Sequence, residues 1–559
     1  MGETMSRADN FWFNMDEPTN LMIITAFMAF GEPVDFRRLQ ATIETRLSVF
    51  PRFQMRVVRT VSGVPAPRWE VDPNFDVRSH VHRLGLPSPG DKTALQELVS
   101  SLMNTPLDTS RPLWDVHLIE NYGKGCAVFF RIHHCIADGI ALIHVLLSAT
   151  DRDPDAPWPE PDPERQPRSV SRPAFFPLAS AFEGLREALS GARKIGARLA
   201  SESTALLADP VRMLTTAKTA YDLAANAASV LGRLTFLAPD PNTPFKGRLG
   251  TRKRAVWTDP LPLENIKALG RAIANTTVND VLIATVTGAM RHYLKTRNTR
   301  VNELDLRVMV PINIRRPGTE FELGNKFSTV VLQLPVYIED PILRLKEVRR
   351  RMDLIKRSPE PYVVFGTLSA FGFLPPQLSK QAAHFFASKA SGVLTNVPGP
   401  REPLYFAGSR IENIMFWVPR SANLGLGISI LSYAGQVTLG IAADEKLMPD
   451  PEILLQGFEQ ELAALETRVR SGRVDGEPLV LHDRYREKGD LESASGPDRP
   501  RCRARTRRGT RCKNRALPEG EYCGVHAHLE HAAGTDAQPP EENVKRLKTI
   551  AELLEKLTD

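Results

Sequence analysis

The stretch CAVFFRIHHCIADGIALIHVLLSAT, residues 126 to 150, constrains the fold more than any other part of the chain. An apolar run suited to a buried strand passes through HHCIADG into a run with helical spacing, so a strand becomes a helix with almost no loop between them. That is the grammar of an α/β fold. In extended backbone the side chains alternate, so Phe130, Ile132 and His134 face one way and Phe129, Arg131 and His133 the other. The two histidines therefore do different work. His134, at the strand end among apolar neighbours, is the imidazole expected to stay neutral and accept a proton near neutral pH. Asp138 either fixes the turn by pairing with a distant arginine or orients a histidine, with the structural role favoured, and Gly139 permits a tight backbone path into the helix.

The chain has 559 residues, more than one hydrophobic core organises. Its first segment, 1–150, alternates strand-like and helical pieces: NLMIITAFMAF reads as a strand, FRRLQATIETRL as a helix and AVFFRI as a buried strand. DRDPDAPWPEPDPERQPRS breaks both periodicities and opens a linker and helical crossover over 151–249. The helices of that crossover either pack on the protein surface or rest on lipid. From 250 to 472 the alternation resumes, with RVMVPINI and FSTVVLQLPV as strands, PILRLKEVRRRMDLIK as a helix and SGVLTNVPGP as a strand entering a turn. A solvated linker is expected at 473–499, a small module at 500–530 and an amphipathic helix at 541–559.

Hydrophobic residues make up 42% and charged residues 25% of the chain, the balance of a globular protein. No run approaches the roughly 20 apolar residues of a spanning helix, and no secretory signal is visible, so a cytoplasmic location is expected. The net charge is +7, concentrated in the tail sequence RPRCRARTRRGTRCKNR. Three of the five cysteines lie in or just after that stretch: Cys502, Cys512 and Cys523, with His526, form a Cys-x9-Cys-x10-Cys-x2-His array suited to tetrahedral zinc. Metal coordination would fold a segment too short for its own core. The surrounding arginines suit anionic lipid head groups or, less in keeping with the rest of the chain, nucleic acid.

The full HHxxxDG spacing resembles that of acyl-CoA-dependent acyltransferases related to chloramphenicol acetyltransferase and to peptide-synthetase condensation domains. The further pieces DNFWFNMDEPTN, RPLWDVHLIE, VNDVLIATV, VPINIRRPG, LGNKFS and TNVPGP, in that order, resemble the bacterial wax ester synthase/diacylglycerol acyltransferase family over residues 6 to about 470. The resemblance implies two chloramphenicol-acetyltransferase-like α/β domains facing each other with the HH motif at their interface. It also implies a channel admitting acyl-CoA from one side and diacylglycerol or a long-chain alcohol from the other, with no catalytic cofactor. His134 matches the family's catalytic histidine. Pro112, Leu113, Trp114, Asn279 and Asp280 match its pocket-shaping pieces. Asn313, Asn396 and Asn279 are amides that either stabilise a tetrahedral oxyanion, a contribution worth roughly 3 to 4 kcal/mol in other enzymes, or serve as helix-cap and turn residues, roles that suit them at least as well. Asn313 stands where the family commonly has serine. Cys135 is not expected to carry an acyl group, since alternation turns it away from His134. Peripheral association with a membrane or lipid inclusion fits such substrates. The competing readings are a condensation-type enzyme acting on carrier proteins, and a non-catalytic scaffold whose zinc tail binds nucleic acid.

Overall fold

In the computed structural model, the described residues are 2–59, 67–159, 236–273, 276–315, 323–356 and 375–474, with isolated positions between them. Most of the crossover, the linker after 474, the cysteine-rich module and the terminal helix expected from the sequence lie outside the described residues.

The first part of the chain contributes β1 (Glu3–Thr4), β2 (Ile23–Phe30), β3 (Met55–Val58), β4 (Arg68–Val71), β5 (Val81–Gly85), β6 (Trp114–Tyr122) and β7 (Gly125–His133). The second contributes β8 (Lys253–Trp257), β9 (Leu261–Pro262), β10 (Leu306–Asn313), β11 (Phe327–Leu334) and β12 (Gly392–Pro398). It continues with β13 (Tyr405–Phe406), β14 (Ser409–Trp417), β15 (Leu426–Tyr433) and β16 (Gln436–Asp444). Two mixed sheets organise the fold. One runs β13-β14-β2-β7-β6-β5, and the other β11-β10-β12-β15-β16-β8, with β9 paired to β16. Strand β2, IITAFMAF, is buried along its whole length because it pairs with β7 on one side and β14 on the other and is covered on both faces.

The second half thus lends β14 to the first half's sheet: Trp417 pairs with Thr25, and Phe416 with Ala26. Phe406, Ile411 and Phe416 are correspondingly buried in the same core as Phe130, Ile132 and Trp114. The helix at Pro341–Lys356 and the strands at 306–313, 327–334 and 392–398 fall where the periodicity puts them. The segment after Asp35 is α-helical only over Phe36–Thr42 and then widens into a π-helical turn, Ile43–Leu47.

Candidate active site

Strand β7 ends at His133, and the helix Gly139–Ser148 begins six residues later, as the HHCIADG junction requires. The backbone of this loop is pinned from several sides. His133 donates its N–H to the Leu113 carbonyl at 2.9 Å, and His134 donates to the Met22 carbonyl at 2.7 Å. Asn325 donates through Nδ2 to the His134 carbonyl at 2.8 Å and also to Asp9 Oδ1 at 2.8 Å. Arg52 bridges Asp9 and the Ile136 carbonyl, at 2.9 and 3.0 Å. Gly324 donates to that same carbonyl at 3.1 Å; its φ of +101° and the Arg52 guanidinium 3.2 Å from where a Cβ would stand both call for glycine.

Asp138 caps the helix by accepting the Ala141 N–H at 3.1 Å, while its other oxygen takes Arg315 Nη1 at 2.5 Å and the Lys326 N–H at 2.9 Å. The carboxylate and the guanidinium side chains are 3% and 1% exposed, so this is a buried ion pair, and none of these bonds reaches an imidazole. Gly139 departs from the expected tight turn. Its φ is not positive, and an added Cβ would meet only Val418, at 3.7 Å, so what the glycine leaves open is the cavity wall.

The two histidines open on different spaces. His134 borders a largely apolar cavity of about 150 Å³ whose walls include Trp12, Ile140, Phe327, Val331 and Asn396, drawn from both halves of the chain. Its ring stacks on Trp12, with centroids 4.5 Å apart and planes 14° apart, and lies 5.4 Å from Phe327. Burial holds its pKa below the ordinary histidine value against the opposing pull of Asp138 and Asp9, and Nδ1 has no partner among the described residues. His133 instead borders a second space with Asp16, Arg59, Leu113 and Lys380. Its Nδ1 accepts the Cys135 N–H at 3.1 Å, which assigns its ring proton to Nε2, 3.8 Å from Asp16 Oδ1. Burial, reinforced by neighbouring His134, pushes its pKa down to about 3. Cys135 is fully buried and its thiol is pushed well up, which makes it a poor nucleophile.

The PLW and ND pieces do not line the His134 cavity. Trp114 is a core residue, donating through Nε1 to the Phe53 carbonyl at 2.8 Å and stacking on His80. Buried Pro112 precedes Leu113, whose carbonyl holds His133. Asp280 closes a capping box with Thr277 at the start of the helix Val278–Thr296, and Asn279 accepts from Asn396 Nδ2 at 2.8 Å. Of the three amides singled out in the sequence, only Asn396 reaches the cavity; Asn313 accepts the Arg315 N–H at 3.0 Å in a local turn. Trp12, Asp9, Asn325, Arg52 and Arg315 carry no role that is legible in the sequence. The fragments DNFW and LGNKFS were the available signal, although nothing in either says that they meet.

Residues 5–282 match the wax ester synthase/diacylglycerol acyltransferase catalytic domain, and residues 323–466 match the WS/DGAT C-terminal domain. A Mycobacterium tuberculosis (strain H37Rv) protein named "Probable diacyglycerol O-acyltransferase tgs1" is 30% identical over 457 residues, covering 81% of this chain and 92% of its own. A second from the same strain, "Probable diacyglycerol O-acyltransferase tgs2", is 28% identical over 441 residues, covering 75% and 88%. Among solved structures, the wax ester synthase/diacylglycerol acyltransferase from Marinobacter aquaeolei VT8 superposes with a TM-score of 0.58 at 21% identity, over 84% of this chain and 100% of that one. The first condensation domain of the calcium-dependent antibiotic synthetase gives a TM-score of 0.52 at 17% identity, over 86% and 100%. The two-lobed α/β fold is thus that of the condensation-type acyltransferases. The chain belongs to the wax ester synthase/diacylglycerol acyltransferase family and is an acyltransferase.

Proposed function

We propose that the chain transfers a long-chain acyl group from acyl-CoA to diacylglycerol, a fatty alcohol or both, with His134 as general base. The observation that carries this reading is a neutral imidazole set in the wall of an apolar cavity built from both halves of the chain. A hydroxyl is a weak nucleophile near neutral pH. His134 takes its proton as the oxygen attacks the thioester carbonyl, then returns the proton to the departing thiolate as the tetrahedral intermediate collapses. Apolar walls accept alkyl chains and keep water from hydrolysing the thioester.

The first N–H groups of a helix lack intrahelical partners, and Gly139 and Ile140, the first two residues of this helix, line the same cavity, so their N–H groups are the donors assigned to a developing oxyanion. His133 and Asp138 act as positioning residues. Pro112, Leu113, Trp114, Asn279 and Asp280 support the frame around them.

The substrates favour work at a membrane or lipid-inclusion surface. Among the described residues no helix is long and apolar enough to cross a membrane. Cys502, Cys512, Cys523 and His526 have the donor chemistry for a closed, structural zinc with no part in catalysis; elemental analysis of purified protein, with and without these side chains, tests that assignment.

The decisive experiment offers labelled acyl-CoA with diacylglycerol and hexadecanol side by side. Labelled triacylglycerol or wax ester, lost by a factor of about 10²–10⁴ in a folded His134→Ala variant, supports the reading. No labelled ester from either acceptor, or an undiminished variant, overturns it.

A further inference from the structure

Among the described residues, the buried Arg420 guanidinium stands without an acceptor. Arg420 lies just beyond β14, is 7% exposed, and rests its stem against Gly427. Its Nε and Nη1 have no hydrogen-bond partner among the described residues. The nearby carboxylate of Asp444 is already committed: it accepts from Lys253 Nζ, from the Gly250 N–H at 3.0 Å and from the Lys446 N–H at 3.1 Å. Two buried cations therefore share one carboxylate, leaving a surplus positive charge. Burial pushes Arg420 down to about 10 and Lys253 down to about 8. An uncompensated buried charge is costly, and the cost is relieved when a bound group supplies the missing counter-charge.

Arg420 and Lys253 border a small polar indentation shared by Thr19, Thr25 and Thr251, with residues from both halves of the chain. The hydroxyl of Thr25 is 1% exposed as a residue and has no partner among the described residues either. Val418 and Pro419 wall this indentation and also the His134 cavity.

We propose that this indentation is an anion site that takes a phosphate group, with Arg420 and Lys253 supplying the charge and Thr25 a hydroxyl. Two sources offer that chemistry: the phosphates of coenzyme A, a possibility that rests on the function proposed above, and free inorganic phosphate. The full chain is melted with inorganic phosphate and with chloride at matched ionic strength, as wild type, Arg420→Met and Thr25→Val. Phosphate is expected to raise the wild-type melting temperature, to leave Arg420→Met unshifted and to shift Thr25→Val less. Equal shifts in all three, or none in the wild type, overturn the site.

KM values for acyl-CoA and for the corresponding acyl-pantetheine thioester then separate the sources. An Arg420→Met increase of about tenfold for acyl-CoA alone identifies coenzyme A. Unchanged KM values in Arg420→Met, together with a wild-type phosphate shift that this variant lacks, identify the free ion. A wild type inactive with both donors would remove the proposed reaction while leaving the melting result standing.

Discussion

The imidazole of His134 lies face to face with the indole of Trp12, their centroids 4.5 Å apart and their planes inclined by 14°. The indole shields one face of the ring from water and thereby helps keep it neutral. Trp12→Phe should retain most activity, because a flat apolar face remains. Trp12→Ala should lower kcat about tenfold, corresponding to about 1.4 kcal/mol, and should shift the acid limb of the kcat/KM profile to higher pH as water reaches the ring. A pH–rate series on the two variants checks both effects.

With His134 as the proposed base, the wild-type profile follows from the direction of its shift. A base with a depressed pKa stays neutral at pH values where an ordinary histidine, at 6.5, is half protonated. kcat/KM should therefore remain level on lowering the pH through 6.5 and fall only below it. An acid limb centred above 6.5 would contradict burial as the dominant influence on this ring.

Asp138 and Arg315 form a buried pair that ties the helix entry to the second half of the chain. Removing one partner strands the other. Asp138→Ala should cost about 3–5 kcal/mol in chemical denaturation, and the double variant Asp138→Ala/Arg315→Met should lose less than Asp138→Ala alone.

Asn325 joins the His134 carbonyl to Asp9. Asn325→Ala should destabilise the fold by about 1.5–3 kcal/mol, the range for hydrogen bonds to charged groups, and should reduce kcat more than it changes KM. Denaturation curves and steady-state kinetics on one preparation separate the two effects.

His117, away from the site, has both ring nitrogens buried without partners among the described residues and a pKa pushed down to about 4 by burial. As pH falls from 6.5 towards 4 the unfolded chain takes up a proton there that the folded chain refuses, so acid favours unfolding by about 1.4 kcal/mol per pH unit. That penalty is absent above 6.5. His117→Leu should flatten the dependence of stability on pH across this window, as read from denaturation midpoints.

Much of this architecture is legible in local pattern. Alternation along CAVFFRI and helical spacing in IALIHVLL locate a strand and a helix within a residue or two, and they assign His133 and His134 to opposite sides. Asp138 reads as a cap or as an ion-pair partner because both roles belong to a carboxylate at a helix entry; its guanidinium lies 177 residues away and cannot be found by spacing. Asp9 and Asn325 are 316 residues apart, so their bond is a product of tertiary packing alone. PLW reads equally well as pocket or core, since a buried tryptophan meets both descriptions until its neighbours are known. Trp12 is illegible in the sequence for a related reason: an aromatic residue on a short helix looks like core filling, and only the stacked imidazole reveals its other face.

The pairing of β14 with β2 also bears on how the protein comes into being. Strand β2 is the immediate neighbour of the histidine-bearing strand, and its outer edge stays bare during synthesis until Trp417 has emerged. The proposed reactive centre therefore gains this neighbouring edge only late in synthesis, and a fragment ending before that point would present an open apolar edge to other chains.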